Sequence, residues 1–272
     1  MGVDTPTASR RRVPRRDAQV VVGAMVVLAV LAWAYVVWMP VDGMTRGILA
    51  RTSDAMAMDD SMAMDAVGWA ASLPFFLVMW VVMMVAMMFP AVSPVVLIFD
   101  RWRRSRERPA ATTVGFIAGY LIAWTLAGVV AFAIVVLFDT QLQGMPNAVR
   151  IGGAVLIVAG VYQFTPLKRA CLTQCRSPLT LIMENAQRLG RGVRGPLEVG
   201  LRHGAYCLGC CWALMAVLIA LGVMHVGWMA AVAAVILAEK VLPGGRVTAA
   251  VIGACLVVAG SVVITTGIGV VT

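Results

Sequence analysis

Long apolar runs with few charges alternate with short polar segments along almost the whole chain. The runs cover approximately residues 20–39, 73–99, 112–138, 148–164, 201–221, 228–242 and 247–271. Most of them reach the ~20 residues that a helix needs to cross a hydrocarbon core of ~30 Å. The run over 228–242 is the shortest, and it contains the charged pair Glu239-Lys240 near its end. The pattern predicts an all-α fold, a polytopic membrane helix bundle of about seven transmembrane helices. Its parts are a first transmembrane helix over 20–39, a polar segment over 40–72 and a six-helix membrane domain over 73–272. That domain carries one longer polar insert, over 166–203.

Composition agrees with this class: 61% of residues are hydrophobic and the mean hydropathy is +0.90. The net charge of +9 does not indicate nucleic-acid binding, because the basic residues sit in short loops, where they encode topology. With a cytoplasmic N-terminus, 19 of the 22 Lys and Arg residues fall on the inner side, leaving only Arg46, Arg51 and Arg150 outside. Residues 1–19 then form a basic cytoplasmic tail, 40–72 lies outside, and the insert 166–203 is cytoplasmic. A cleavable signal peptide competes for the first run. That run is long for a signal, and no clear small-x-small cleavage site follows it. The expected location is a bacterial inner (plasma) membrane, multi-pass, with membrane lipid as one partner.

Within the insert, Leu179, Ile182, Met183, Ala186 and Leu189 recur at helical spacing. They predict a short amphipathic interfacial helix between Ser177 and Leu189, stopped by Gly190 and Gly192. Pro90 and Pro94 are expected to kink the second span. Gly115-x-x-x-Gly119 and Gly200-x-x-x-Gly204 mark faces for close helix contact.

Sulfur is distributed unevenly. Five methionines fall within ten residues of the second span. Met79, Met83 and Met87 form one stripe, with Met84 and Met88 beside it. A thioether suits Cu(I) and carries no charge to desolvate. The competing reading is a packing or lipid-facing stripe. Outside, Ala55-Met-Ala-Met-Asp59 is echoed by Ser61-Met-Ala-Met-Asp65. Exposed methionine has no packing reason to be there, so this segment reads as a soft-metal collecting arm or as a low-complexity linker. Met224 and His225, in an outer turn, are candidates to join such an outer site.

Five of the six cysteines lie toward the inner face. Cys171 and Cys175 are spaced i, i+4. Cys207, Cys210 and Cys211 share one helix face, with His203 one turn earlier on it. The cytoplasm is reducing, so a disulfide framework is not expected there. Thiols at one depth favour a metal site: Cu(I) accepts two or three thiolates, whereas Zn(II) wants four N/S ligands. Cys255, alone in the last run, reads as a small hydrophobe. A carboxylate at the end of a span is costly and usually faces a partner or a cavity; the competing reading is that Lys240 snorkels to the interface and Glu239 is a boundary charge. For Glu239 the candidates are Arg202, Lys168 or a bound ion.

Several blocks carry a family resemblance. They are Met79-Trp80 through Pro90, Tyr162-Gln163-x-Thr165-Pro166-Leu167-Lys168-x-x-Cys171-Leu172-x-x-Cys175-Arg176-Ser177-Pro178, Gly204-x-x-Cys207-x-Gly209-Cys210-Cys211-Trp212-x-Leu214-Met215, Trp228-Met229 and Glu239-Lys240. The chain resembles a bacterial domain-of-unknown-function family of predicted metal-binding integral membrane proteins. The resemblance implies metal binding and no particular reaction. The favoured reading is Cu(I) handling, by transfer, uptake or delivery, with zinc as the alternative ion. The metal candidates are Cys171, Cys175, Cys207, Cys210, Cys211, His203, Met79, Met83, Met87 and Glu239. A membrane-embedded metal-dependent redox enzyme subunit is the second reading, with Glu239 and His203 as acid/base groups. It lacks a Glu-x-x-His carboxylate set. The third is a non-catalytic assembly partner, using its glycine faces to bind another protein of the membrane or of the outer side.

Overall fold

A computed structural model of the chain describes residues 15–38, 72–142, 148–221 and 226–267. Residues 1–14, the methionine–aspartate segment through residue 71, and Met224 with His225 lie outside the described residues. Ten helices and no strands are found among the described residues. They are α1 (Arg15–Trp38), α2 (Leu73–Ser105), α3 (Ala111–Leu142), α4 (Ala148–Tyr162), α5 (Pro166–Arg176), α6 (Pro178–Glu184), α7 (Ala186–Leu189), α8 (Arg194–Leu221), α9 (Val226–Val241) and α10 (Gly245–Thr266). Among the described residues, four stretches are long and apolar enough to cross a membrane: Leu73–Ser105, Ala111–Leu137, Arg194–Leu221 and Gly245–Thr266. A fifth arises if Val149–Tyr162 and Pro166–Arg176, bent by 65° from each other, form one broken span.

The two prolines inside α2 do not interrupt it. Each removes the N–H that would have bonded the carbonyl four residues earlier. Pro90 orphans the Ala86 carbonyl, and Trp33 of α1 donates its indole Nε1–H there at 3.0 Å. Pro94 orphans the Pro90 carbonyl, which receives the Ser93 hydroxyl at 2.9 Å. Both freed acceptors therefore have donors, one of them from a neighbouring helix.

α2 also runs past the expected end of its apolar stretch, to Ser105. Asp100 is buried there. Arg103 Nη2 and Arg104 Nε each reach its carboxylate at 2.7 Å, and the Thr113 hydroxyl of α3 donates to it at 3.0 Å. A buried carboxylate with this many donors is compatible with continuing the helix.

Glycines set the two closest helix pairs. Along the α3–α8 seam, Gly115 and Gly119 lie against Pro196, Leu197 and Leu201, while Gly200 and Gly204 lie against Phe116, Tyr120 and Ala123. A Cβ on Gly119 or Gly200 would run into backbone. The two expected glycine faces thus cover each other inside the chain and are not free for an external partner. A second seam was not anticipated. Gly153 and Gly160 of α4 meet the Gly260 and Gly253 carbonyls of α10. Its glycines are seven apart, which is also one helix face.

These contacts fix relative directions. α3 and α8 run parallel, and α4 and α10 antiparallel. α1 and α2 are antiparallel as well: Trp33 meets Ala86, and Met25 lines one small cavity with Val92 and Val96. α2 and α3 are also antiparallel: Trp80 Nε1 donates to the Trp124 carbonyl at 2.9 Å, and Phe99 stacks on Phe116 with centroids 4.6 Å apart.

The expected amphipathic helix is two short ones, α6 and α7, broken at Asn185. That buried side chain donates to the Leu181 carbonyl at 2.8 Å. Leu181, Ile182 and Leu189 are buried, but Leu179 and Met183 are 66% and 77% exposed. The apolar positions therefore do not share one face. The break rotates the second segment, and Arg108 holds it by donating to the Leu189 carbonyl at 2.5 Å.

Candidate metal centre

The chain turns from α4 into α5 through Gln163–Thr165. Thr165 caps α5, its hydroxyl accepting the Lys168 backbone N–H at 3.3 Å, and Pro166 takes the first helical position. This start directs α5 across the middle of α8. α5 is then fastened to the end of α9. Lys168 Nζ donates to both Glu239 carboxylate oxygens, at 3.0 and 2.8 Å, and also to Gln163 Oε1. Arg176 donates to the Glu239 and Leu242 carbonyls at 3.2 and 2.5 Å. Of the candidates for Glu239, the partner is Lys168; Arg202 instead reaches the Tyr206 hydroxyl.

Held this way, α5 presents its two cysteines to α8. The Cys175 and Cys210 sulfurs are 3.8 Å apart. With metal–sulfur bonds of about 2.3 Å, two thiolates of one trigonal or tetrahedral ion sit roughly 3.8–4.0 Å apart. Cys171 is half-buried and lies against Gly209, where a Cβ would meet its sulfur at 2.7 Å. The absence of a side chain at Gly209 is what admits this thiol. Tyr162 donates to the Gly209 carbonyl at 2.5 Å and sets its ring edge-on to Trp212. The thiols of Cys210 and Cys211 donate back to the Cys207 carbonyl, at 3.1 and 2.9 Å.

Cys207, Cys210 and Cys211 are each about 1% exposed. The Cys207 sulfur meets the Tyr120 hydroxyl of α3 at 3.1 Å. It also accepts a hydrogen bond from Lys240 Nζ at 2.9 Å. The same ammonium lies 3.8 Å from the Met88 sulfur of α2. Sulfur groups from α2, α5 and α8 therefore collect around the end of α9. Among the described residues, no three His, Cys, Asp or Glu side chains converge as a ready-formed metal centre. The arrangement is a line of soft donors rather than one closed cage.

Met79, Met83 and Met87 are fully buried, as are Met84 and Met88. They face the bundle interior. At 1.5 Å rise per residue, Met79 stands about 13 Å along α2 from Met88, so no single ion touches both ends. His203 is buried between the Phe116 and Tyr120 rings, at centroid distances of 5.8 and 6.1 Å, and its Nδ1 has no hydrogen-bond partner. Cys255 is exposed on α10, away from the other thiols.

Sequence reasoning did not single out Met88, Tyr120 or Lys240 as parts of this cluster. Lys240 read as a residue reaching for the membrane interface. Its inward direction follows from α9 packing against both α2 and α8, which periodicity in α9 alone does not reveal.

No curated protein and no solved structure matches the chain. Residues 77–263 match the family model PpoB2, described as a copper chaperone. That span starts inside α2, just before Met79, and includes all five clustered cysteines, and the chain belongs to this copper chaperone family.

Proposed function

We propose that the chain is an integral membrane protein of a bacterial inner membrane that receives copper as Cu(I). The ion passes along the thioethers of α2 and is held or handed on by the thiols where α5 crosses α8. The outer methionine–aspartate segment collects the ion, and Cys171, Cys175, Cys207, Cys210 and Cys211 receive it. The observation that carries this reading is the meeting of Met88 and Cys207 on one side chain, Lys240, at 3.8 and 2.9 Å. The methionine line thereby ends where the thiol group begins. Thioether and thiolate donors together select soft, low-charge ions, and the copper chaperone family supports copper as the cargo. Glu239, engaged by Lys168, acts on the site through the placement of α5. The partners are the ion, lipid and an acceptor protein for the copper.

The seven-span topology with an inner N-terminus also has support. The directions of α2 against α3, α3 against α8 and α4 against α10 are those that topology requires. The basic turn after α2 meets the basic segment before α8 where Arg108 donates to the Leu189 carbonyl. Basic residues gathered at one end are what a cytoplasmic face carries. α4 and α9 are the shortest of the seven, 15 and 16 residues, and are about 22–24 Å long.

Copper titration of purified, detergent-solubilised protein under reducing conditions tests the reading. The native protein binds about one Cu(I), and replacing Cys207, Cys210 and Cys211 together with Ser abolishes binding. Unchanged stoichiometry in the triple variant overturns the proposal.

A further inference from the structure

The thiol cluster carries a fixed positive charge of its own. Lys240 donates to the Cys207 sulfur at 2.9 Å and stands 3.8 Å from the Met88 sulfur. The neighbouring carboxylate does not offset it, because both Glu239 oxygens are taken by Lys168. Arg176 is spent on backbone carbonyls, and Tyr120 adds a neutral hydroxyl. An ion entering between Met88 and the thiols therefore approaches an ammonium with no carboxylate of its own. The repulsion it meets scales with its own charge. Thiol donors alone do not separate Cu(I) from Zn(II), since both ions take thiolates.

We propose that Lys240 is the residue that makes this site select a monovalent soft ion over a divalent one. This rests on the copper reading above and adds to it the basis of metal choice. A divalent ion in the same place meets twice the repulsion of a monovalent one, so the ammonium penalises Zn(II) twice as heavily on a logarithmic scale. Any effect of Lys240 on the readiness of Cys207 to bind acts on both metals alike and cancels in their ratio.

The test is competition titration of Cu(I) and of Zn(II) against chromophoric chelators, with native protein, K240L and K240R. Leucine removes the charge without adding a sulfur donor for Cu(I), and arginine keeps the charge. Removing the charge is expected to raise Zn(II) affinity relative to Cu(I) affinity, for example by about tenfold. K240R is expected to keep the native ratio. An unchanged ratio in K240L, or a K240R ratio matching that of K240L, overturns the proposal. K240Q provides a second neutral variant if K240L loses its helical circular dichroism. Native protein that binds no Cu(I) removes the copper reading and this proposal together. Native protein that binds Cu(I), with neutral variants at an unchanged metal ratio, removes this proposal alone.

Discussion

Trp33 of α1 donates its indole N–H to the carbonyl of Ala86, the acceptor that Pro90 leaves without a helical partner. A buried acceptor without a donor costs about 1–3 kcal/mol. Trp33→Phe keeps most of the ring and removes the donor. It is expected to lower unfolding stability in detergent by that amount, whereas Ser93→Ala, at an exposed bond, costs less. Equal stability of W33F and native protein would show that the Ala86 carbonyl finds another donor.

The Lys168–Glu239 pair is almost wholly buried, its side chains 1% and 2% exposed. Removing one partner strands a charge, at about 3–5 kcal/mol, while replacing both by apolar groups of similar volume is near neutral. Glu239→Gln and Lys168→Met are each expected to destabilise, and K168M/E239L to recover most of the loss in thermal unfolding. The single variants also weaken Cu(I) binding, because the pair holds α5, and with it Cys175, beside Cys210.

Thiol alkylation should follow burial. A lipid-soluble maleimide is expected to label exposed Cys255 first and half-buried Cys171 next. Cys175, Cys207, Cys210 and Cys211 follow only slowly. Prior loading with Cu(I) slows the clustered cysteines further and leaves Cys255 unchanged, as read by peptide mass spectrometry. Protection of Cys255 by copper would contradict the arrangement.

Glycine substitutions should divide by what surrounds them. At Gly200 a Cβ would meet the Phe116 backbone, while Gly23 has nothing within 4 Å of the added atom. Gly200→Val is expected to prevent recovery of folded protein. Gly23→Ala is expected to be neutral, or stabilising by up to about 1 kcal/mol from helix propensity. Size-exclusion profiles and thermal unfolding of the two variants measure this.

The all-α class and the positions of the long helices were legible because apolar length and periodicity are properties of each segment alone. The Gly115/Gly119 and Gly200/Gly204 faces were legible for the same reason, although not that they would meet each other. What could not be read were relations between segments. The continuity of α2 through Pro90 depends on a tryptophan in α1. The break at Asn185 depends on a buried amide. The inward course of Lys240 depends on where α9 docks. In the candidate site, the thiols were visible as a pattern on α8. Their meeting with α5 depends on the Thr165 cap and the Lys168–Glu239 pair, whose partners lie far apart in sequence. Gly209 offered a local signal, a glycine within the cysteine block, but only the approach of Cys171 explains it.

The α3–α8 seam has a consequence for synthesis. α3 emerges from the ribosome before α4, α5, α6 and α7, and its glycine groove has no occupant until α8 follows. Until then Gly115 and Gly119 present bare backbone to whatever surrounds the nascent chain. Closure of that groove is a late event, and the thiols of α8 reach Tyr120 of α3 only when it is complete.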